Sequence, residues 1–296
     1  MSLHVVGVKA TLELAPVLRA LQRLSWGEVS DGHLAHFTGI NLSGQADVPA
    51  IGFGDVVTNA ESQCLRYSIH RPDLRTLMTV TEGHYRIIAR RSAGIAAVGD
   101  LKGKRVATRP WASAGFYLYR ALQDAGLAES DVTLVALPVA SDFSVPLLSG
   151  DADALVIWEP YAQQVFEQLG DDAVALSPPV YREFFNLYSS TEKLDDPVKR
   201  ALIVQFVREI VAAAAEIRET PRIGIALVAD ASGHDAALVA RAWEHHSFSA
   251  RVCPDLLDVM YAEERWSCRE TSRPPRSRAE LARLIDTSVF DEAASE

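Results

Sequence analysis

The chain has 296 residues, 48% of them hydrophobic and 23% charged, a composition that excludes disordered and fibrous classes and leaves room for two lobes. A formal net charge of −10, from 39 acidic against 29 basic residues, excludes nucleic acid or an anionic membrane surface as the main partner, though not a local basic pocket for a small anion. The longest apolar runs, such as IVAAAA from Ile210, fall far short of the roughly 20 residues that span a bilayer. The N-terminus, MSLHVVGVK, has no basic segment leading into an apolar one. The chain is therefore expected to be cytoplasmic, or periplasmic or extracellular with its leader removed. Cys64, Cys253 and Cys268 show no CxxC spacing and read as thiols.

Taken in chain order, Leu3 to Lys9 reads as a strand. Thr11 is a plausible N-cap for a helix with Leu14, Val17, Leu18 and Leu21 on its apolar face. A short strand is expected near His33 to Phe37, another at Asp47 to Phe53, and a helix over Asp55 to Leu65. A strand pair follows in TLMTVTEGHYRIIARR, from Thr76 to Arg91. From Asp100 the pattern becomes regular: turn LKGK, strand RVAT, loop RPWASAG, helix FYLYRALQDAG, strand VTLVAL, loop PVASD and helix FSVPLLSG. The segment GDADALVIWEPY then joins turn residues, a buried strand over Ala154 to Trp158, and a helix opened by Glu159 and Pro160. Such alternation implies a parallel sheet with right-handed crossovers. The remainder reads as helices over Pro197 to Glu219, Pro221 to Ala231, Asp235 to His246, Pro254 to Arg269 and Arg278 to Ile285, with RETSRPPRSR as a basic surface loop.

DLKGKRVAT, the spacing in AGLAESDVTLV, SGDADALVIWEPY and the late W…RSRAELARLID stretch occur in an order that resembles the nitrate/sulfonate/taurine-type solute-binding proteins of ABC importers. That group is related to the pyrimidine-precursor synthases of thiamine biosynthesis, and the match runs from about Asp47 to the C-terminus. The resemblance implies an α/β, type II periplasmic-binding-protein-like fold: two α/β lobes with a ligand cleft and a helical C-terminal region. Lobe 1 would comprise 1–89 and 189–296, and lobe 2 would comprise 90–188, with crossings near Ile88 to Arg91 and Asn186 to Ser190. Two departures stand out: no leader precedes the first strand, and Phe37 to Asp47 is abbreviated.

Ligands of open α/β sheets sit at the carboxyl ends of strands, where helices begin. In TRPWASAG, the backbone N–H groups of Ser113 and Ala114 form an anion site at a helix N-terminus; Arg109 could add a bidentate contact and Trp111 an apolar wall. The bland alternative makes Ser113 a cap and Arg109 a surface residue. Trp158 is read as a pocket wall. Glu159 is either a partner for a ligand amine or hinge group, or a stabiliser of its helix N-terminus. In lobe 1, Lys9, Thr11 and Leu12 follow the first strand, Gly54 and Asp55 follow the third, and Glu82 and His84 lie near the crossing strand. Glu82 and His84 could form an acid/base pair or a solvated surface pair. Cys64, His70 and Arg75 together raise a nucleophile, although Val57, Ala60 and Cys64 have the spacing of a buried helix face. His245 and His246 diverge on a helix and make a poor metal site, and Trp243 and Trp266 read as packing.

The resulting expectation is the solute-binding component of an ABC importer. It would close by hinge motion on a small anionic or zwitterionic organic molecule of the sulfonate/nitrate/taurine class. Its partners would be that ligand and a membrane permease, with no nucleic acid, cofactor, metal or catalytic residue, and the chain would be a monomer. The alternative is a cytoplasmic lyase, desulfinase or pyrimidine-precursor synthase on the same scaffold.

Overall fold

The computed structural model describes residues 2–32, 34, 54–137, 142–271 and 273–295. The first strand, β1 (Val5–Gly7), is shorter than Leu3 to Lys9 and wholly buried. A 3-10 turn at Leu12–Leu14 leads into α1 (Ala15–Leu24), where Leu14, Val17 and Leu21 are buried as their spacing predicts. After β2 (Ser30–Asp31), the strand expected near His33 to Phe37 and the one at Asp47 to Phe53 lie outside the described residues, apart from Leu34.

The segment read as a helix from Asp55 instead begins with β3 (Val56–Ala60), and α2 (Glu61–Tyr67) follows. The three consecutive β-branched residues of Val-Val-Thr suit a strand buried on both faces better than the first turn of a helix. Next come β4 (Leu74–His84) and β5 (Arg86–Arg90), which do not pair with each other but lie in different sheets.

The regular alternation holds through β6 (Arg105–Thr108), α3 (Ser113–Asp124), β7 (Thr133–Ala136), α4 (Val145–Ser149), β8 (Ala154–Ile157), α5 (Tyr161–Leu169) and β9 (Ala173–Leu176). A nine-residue strand, β10 (Arg182–Ser190), was not part of the expected pattern. The helices are α6 (Thr191–Asp195), α7 (Pro197–Glu219), α8 (Pro221–Ser232) and α9 (Ala236–Ala242), then, beyond β11 (His246–Ser247), α10 (Leu256–Thr271), α11 (Arg278–Ala282) and α12 (Ser288–Ala294).

The chain divides into two compact units. One holds Met1–Glu82, Phe184–Ala236 and His246–Glu296, and the other holds Gly83–Glu183 with Ala237–His245. The divisions fall at Glu82/Gly83 and Glu183/Phe184, because β5 pairs only within the second sheet while β10 pairs with β3 in the first. Sequence reading puts these boundaries at 89/90 and 188/189, and puts 237–245 with lobe 1.

Lobe 1 is built on a six-stranded sheet in the order β11-β4-β10-β3-β1-β2. Its core joins α1 to α7, whose Ile203, Phe206, Val207, Ile210, Ala214 and Ile217 repeat at helical spacing. Pro197 takes the first position of α7, and the Asp196 carboxylate accepts from Val198 N (2.8 Å) and Lys199 N (3.1 Å), satisfying N–H groups that the helix cannot pair itself.

In RETSRPPRSR, Arg269, Pro274, Pro275, Ser277 and Arg278 are exposed as expected of a surface loop, but Arg273 and Arg276 turn inward. The Glu264 carboxylate of α10, fully buried, accepts from Arg273 Nη1 at 2.6 Å and Nη2 at 3.0 Å, and from Arg276 Nε at 3.1 Å and Nη2 at 3.0 Å. Burial alone would raise its pKa, but the hydrogen bonds from the two arginines outweigh it and bring it down to about 2 from an ordinary 4.5. A carboxylate depressed in the folded state adds stability that is complete above its unfolded pKa and lost as pH falls through the folded one. The melting-temperature gap between wild type and Glu264→Gln should therefore be widest near neutrality and shrink between about pH 4.5 and about pH 2. A gap independent of pH in thermal melts would show that the pair of arginines does not act through ionised Glu264.

Lobe 2 is a five-stranded sheet, β7-β6-β8-β5-β9, with β6 parallel to β7 and β8 and β5 antiparallel to β8 and β9. Asp153 locks the start of β8 to β6. Its Oδ2 accepts from Arg105 N at 2.9 Å, and its Oδ1 from Arg105 Nη2 at 2.8 Å. Gly150 ends α4 at φ 82°, a left-handed cap that suits glycine. No helix among the described residues is long and apolar enough to cross a membrane.

Candidate functional site

In lobe 2, β6 and β8 are parallel neighbours in the register Thr108↔Val156, so the residues after each strand emerge side by side at one end of the sheet. Those residues are Arg109 and Trp158, and the Arg109 guanidinium carbon lies 5.7 Å from the indole centroid, a cation–π stack. Phe143 (5.4 Å) and Tyr161 (6.3 Å) meet the same indole edge-on and fix its orientation.

Three groups at this end are donors without acceptors among the described residues. The half-buried Arg109 guanidinium makes no hydrogen bond or ion pair among the described residues, and burial lowers its pKa from the ordinary value. Trp158 Nε1 and Thr108 Oγ1 are buried and unpartnered. A buried polar group without a partner costs about 1–3 kcal/mol, and more if charged, so the cluster is arranged to receive an acceptor.

The loop is held close to the helix behind it. A β-carbon on Gly115 would lie 2.5 Å from the Pro110 carbonyl oxygen, a backbone atom that cannot move aside cheaply, so only glycine admits this approach. The helix N-cap is Ala112, so Ser113 does not cap with its side chain. Ser113 and Ala114 are buried in the first turn of α3, and Trp111 is 50% exposed.

Glu159 does not face this cluster as a free acid. Its carboxylate is buried in an ion pair with Arg86, with Oε1 at 2.9 Å from Nε and 2.5 Å from Nη2, while Oε2 accepts from Gln163 N at 2.9 Å. The helix it was expected to open begins at Tyr161. Arg86, missed by sequence reading, could have been found as the charged residue inside the buried stretch Tyr85 to Ala89. Also missed was an aromatic stack, Tyr85 against Tyr117 (5.6 Å) and Tyr181 (6.2 Å).

In lobe 1, the expected positions fare differently. Gly54 and Asp55 precede β3, so they lie at its amino end, away from the end where β1 leads into its turn. Asp55 Oδ2 accepts from His4 N and from Lys199 Nζ, both at 2.8 Å, which ties the sheet to α7. Lys9, Thr11 and Leu12 do follow β1. Lys9 N donates to Asp31 Oδ1 at 2.9 Å, Thr11 Oγ1 to the Val8 carbonyl at 3.1 Å, and Leu12 is wholly buried.

Glu82 is buried and pairs with Arg251 at 3.1 Å, whereas His84 is exposed. His246 Nε2 lies 3.2 Å from Glu13 Oε1 in a buried pair, and among the described residues no group of three or more His, Cys, Asp or Glu is placed to hold a metal ion.

The nucleophile reading of Cys64 meets a direct obstacle. The residue is fully buried, and burial pushes its thiol up to about 12, the Thr76 hydroxyl at 4.0 Å offsetting only part of this. Cys253 is pushed up to about 11 and Cys268 is also raised, each chiefly by burial. At pH 8 the thiolate fraction of Cys64 is then on the order of one in ten thousand. Ellman's reagent should release no thiol signal from the native chain on the timescale of minutes, and three equivalents after guanidinium unfolding. A rapid native equivalent would restore the nucleophile.

The family model described as "NMT1/THI5 like" matches residues 50–222. The chain belongs to the NMT1/THI5-like family. The family resemblance read from DLKGKRVAT and GDADALVIWEPY is therefore borne out.

Among relatives, the chain is 36% identical over 84 residues to the Escherichia coli (strain K12) protein named "Putative aliphatic sulfonates-binding protein". That stretch is 28% of this chain and only 26% of the relative. Among solved structures, it is similar to the alkanesulfonate-binding protein SsuA from Xanthomonas axonopodis pv. citri bound to MOPS. That match has a TM-score of 0.72 and 18% identity, and covers 96% of this chain and 98% of that one. It is also similar to the desulfurization enzyme DSZB, with a TM-score of 0.67 and 15% identity, covering 100% of this chain and 99% of that one. Identities this low speak to the fold alone. The fold is α/β and of the type II periplasmic-binding-protein kind.

Proposed function

We propose that this protein is a solute-binding protein that captures a small organic anion, with the oxyanion seated on Arg109, Trp158 Nε1 and Thr108 Oγ1 of lobe 2. The observation that carries the proposal is the half-buried Arg109 guanidinium stacked on Trp158 beside two further buried donors, all three without acceptors among the described residues. Donors at the same end of the sheet suit a sulfonate or carboxylate, which brings several lone pairs. Ser113 and Ala114 add the positive end of α3, and Trp111 and Trp158 offer apolar surface to the organic part of the ligand.

The sulfonate class is favoured because a sulfonate-binding relative and an alkanesulfonate-binding structure are among the proteins this chain is similar to. In this reading the loaded protein acts outside the cytoplasm and delivers its ligand to the permease of an ABC importer. Isothermal titration with ethanesulfonate, nitrate, benzoate and a pyrimidine tests it. Saturable binding of the sulfonate, lost in Arg109→Ala, supports the proposal, and binding of the pyrimidine alone sinks it.

Similarity to a desulfurization enzyme raises a second reading, a carbon–sulfur lyase. The buried, high-pKa thiols of Cys64 and Cys253 weigh against a cysteine nucleophile in such an enzyme. Release of sulfite from an aryl sulfinate by the purified chain would establish it.

A further inference from the structure

Lobe 1 carries a cavity of about 360 Å³ at the C-terminal end of α2. It is lined by Ser68, Ile69, Pro72 and Leu284 together with Arg273, Arg276, Glu280 and Arg283. A volume of this order accommodates a small organic molecule.

Its basic wall is preassembled. Arg276 is gripped by Glu264 and also donates to Ser68 Oγ at 2.9 Å and to the Leu65 carbonyl at 2.7 Å, so its plane is fixed by α10 and the C-terminal end of α2. Arg273 is held by both oxygens of the same Glu264, and its Nε is buried without a partner among the described residues. One buried carboxylate thus serves two guanidinium groups and leaves a positive excess. The other acid in the wall, Glu280, is turned to its own helix start, accepting from Ser277 N at 2.8 Å and Ser277 Oγ at 2.7 Å. The exposed Arg283 guanidinium makes no hydrogen bond among the described residues, and its charge lies near enough to Glu280 to help lower that acid's pKa, so its N–H donors are available. Opposite these charges stand Ile69, 43% exposed, and Pro72, an apolar surface that a bare inorganic ion would leave uncovered.

We propose that this cavity is a binding site for a small organic oxyanion, with Arg283 and the fixed Arg276 meeting the anionic group and Ile69, Pro72 and Leu284 meeting its apolar body. The site lies wholly within lobe 1 and does not depend on the reading of Arg109.

Phenyl phosphate is a suitable probe, titrated into isotope-labelled chain carrying Arg109→Ala so that the lobe 2 donors do not contribute. Amide shifts confined to Ser68–Asp73 and to Arg276–Leu284, saturable and weakened roughly tenfold by adding Arg283→Ala, are the expected result. Arg283 is exposed, so this variant should fold. Ile69→Ser should weaken phenyl phosphate while leaving the weaker binding of inorganic phosphate unchanged. The proposal is overturned by the absence of shifts at these residues in a folded chain, by indifference to Arg283→Ala, or by equal binding of benzylammonium. Equal affinity for inorganic phosphate would overturn the organic part of the assignment.

Discussion

Replacing Arg109 with alanine is expected to abolish ligand-induced stabilisation without lowering the melting temperature of the empty protein. The two halves of this outcome have one cause. In the folded chain Arg109 is half-buried with no acid or acceptor among the described residues, so its charge is desolvated without compensation apart from the face of Trp158. Removing it relieves that penalty, and the empty protein should melt at the same temperature or slightly higher. Removing it also deletes the charge-assisted contact to the ligand oxyanion, worth about 2–3 kcal/mol, or roughly 30- to 150-fold in Kd. Trp111→Ala should weaken binding less, because Trp111 is 50% exposed and can cover only the ligand's apolar part. Differential scanning fluorimetry with and without ethanesulfonate, followed by titration calorimetry, reads both halves. A destabilised empty protein would mean that Arg109 has a structural partner, and an unchanged Kd would move the anion site elsewhere.

The second large effect is on stability. Glu159→Ala should destabilise lobe 2 by about 3–5 kcal/mol, because it strands the buried Arg86 guanidinium without its counter-charge. Arg86→Ala should do comparable damage by removing the counter-charge of the buried Glu159, which would keep the Gln163 N–H. The informative variant is the double replacement Arg86→Met with Glu159→Leu. A buried ion pair gains little over well-packed apolar groups of similar volume, so this variant should recover most of the loss. Urea denaturation followed by tryptophan fluorescence tests the cycle. If the double variant is as unstable as either single one, the pair contributes more than mutual neutralisation, and its hydrogen bonds to Gln163 become the place to look.

The second lobe was legible because its elements announce themselves locally. RVAT, the SAGFYLYRALQD helix and ALVI each have the length and periodicity of their final state, and DAD marks the turn that Asp153 locks to Arg105. Arg109 and Trp158 could be placed together because each follows a strand in a parallel pattern, and the register of β6 on β8 then brings them side by side.

What could not be read was decided by partners distant in sequence. Glu159 resembles a helix-opening acid until Arg86, in an antiparallel neighbour strand, is brought against it. Asp55 shifted from one end of its strand to the other because Val56 to Ala60 takes its state from β1 and β10 on either side. RETSRPPRSR reads as a solvated basic run because nothing local reveals that Glu264, buried on the preceding helix, draws two of its arginines inward. Thr108 carries no signal as a lone residue and acquires one only as a buried hydroxyl left unpaired at the end of β6.

The strand order of the first sheet has a consequence for synthesis. β10 lies between β4 and β3, yet it is the last of these three to leave the ribosome, after the whole Gly83–Glu183 segment. Until then β3 and β4 have no strand to bridge them, and α7, which supplies much of the first core, has not been made. The lobe that contains the N-terminus must therefore wait with β4 not yet joined to the β3-β1-β2 part of its sheet, while most of the inserted lobe is already complete. The usual N-to-C order of domain folding is reversed, and the nascent first lobe is where a chaperone would have the longest work.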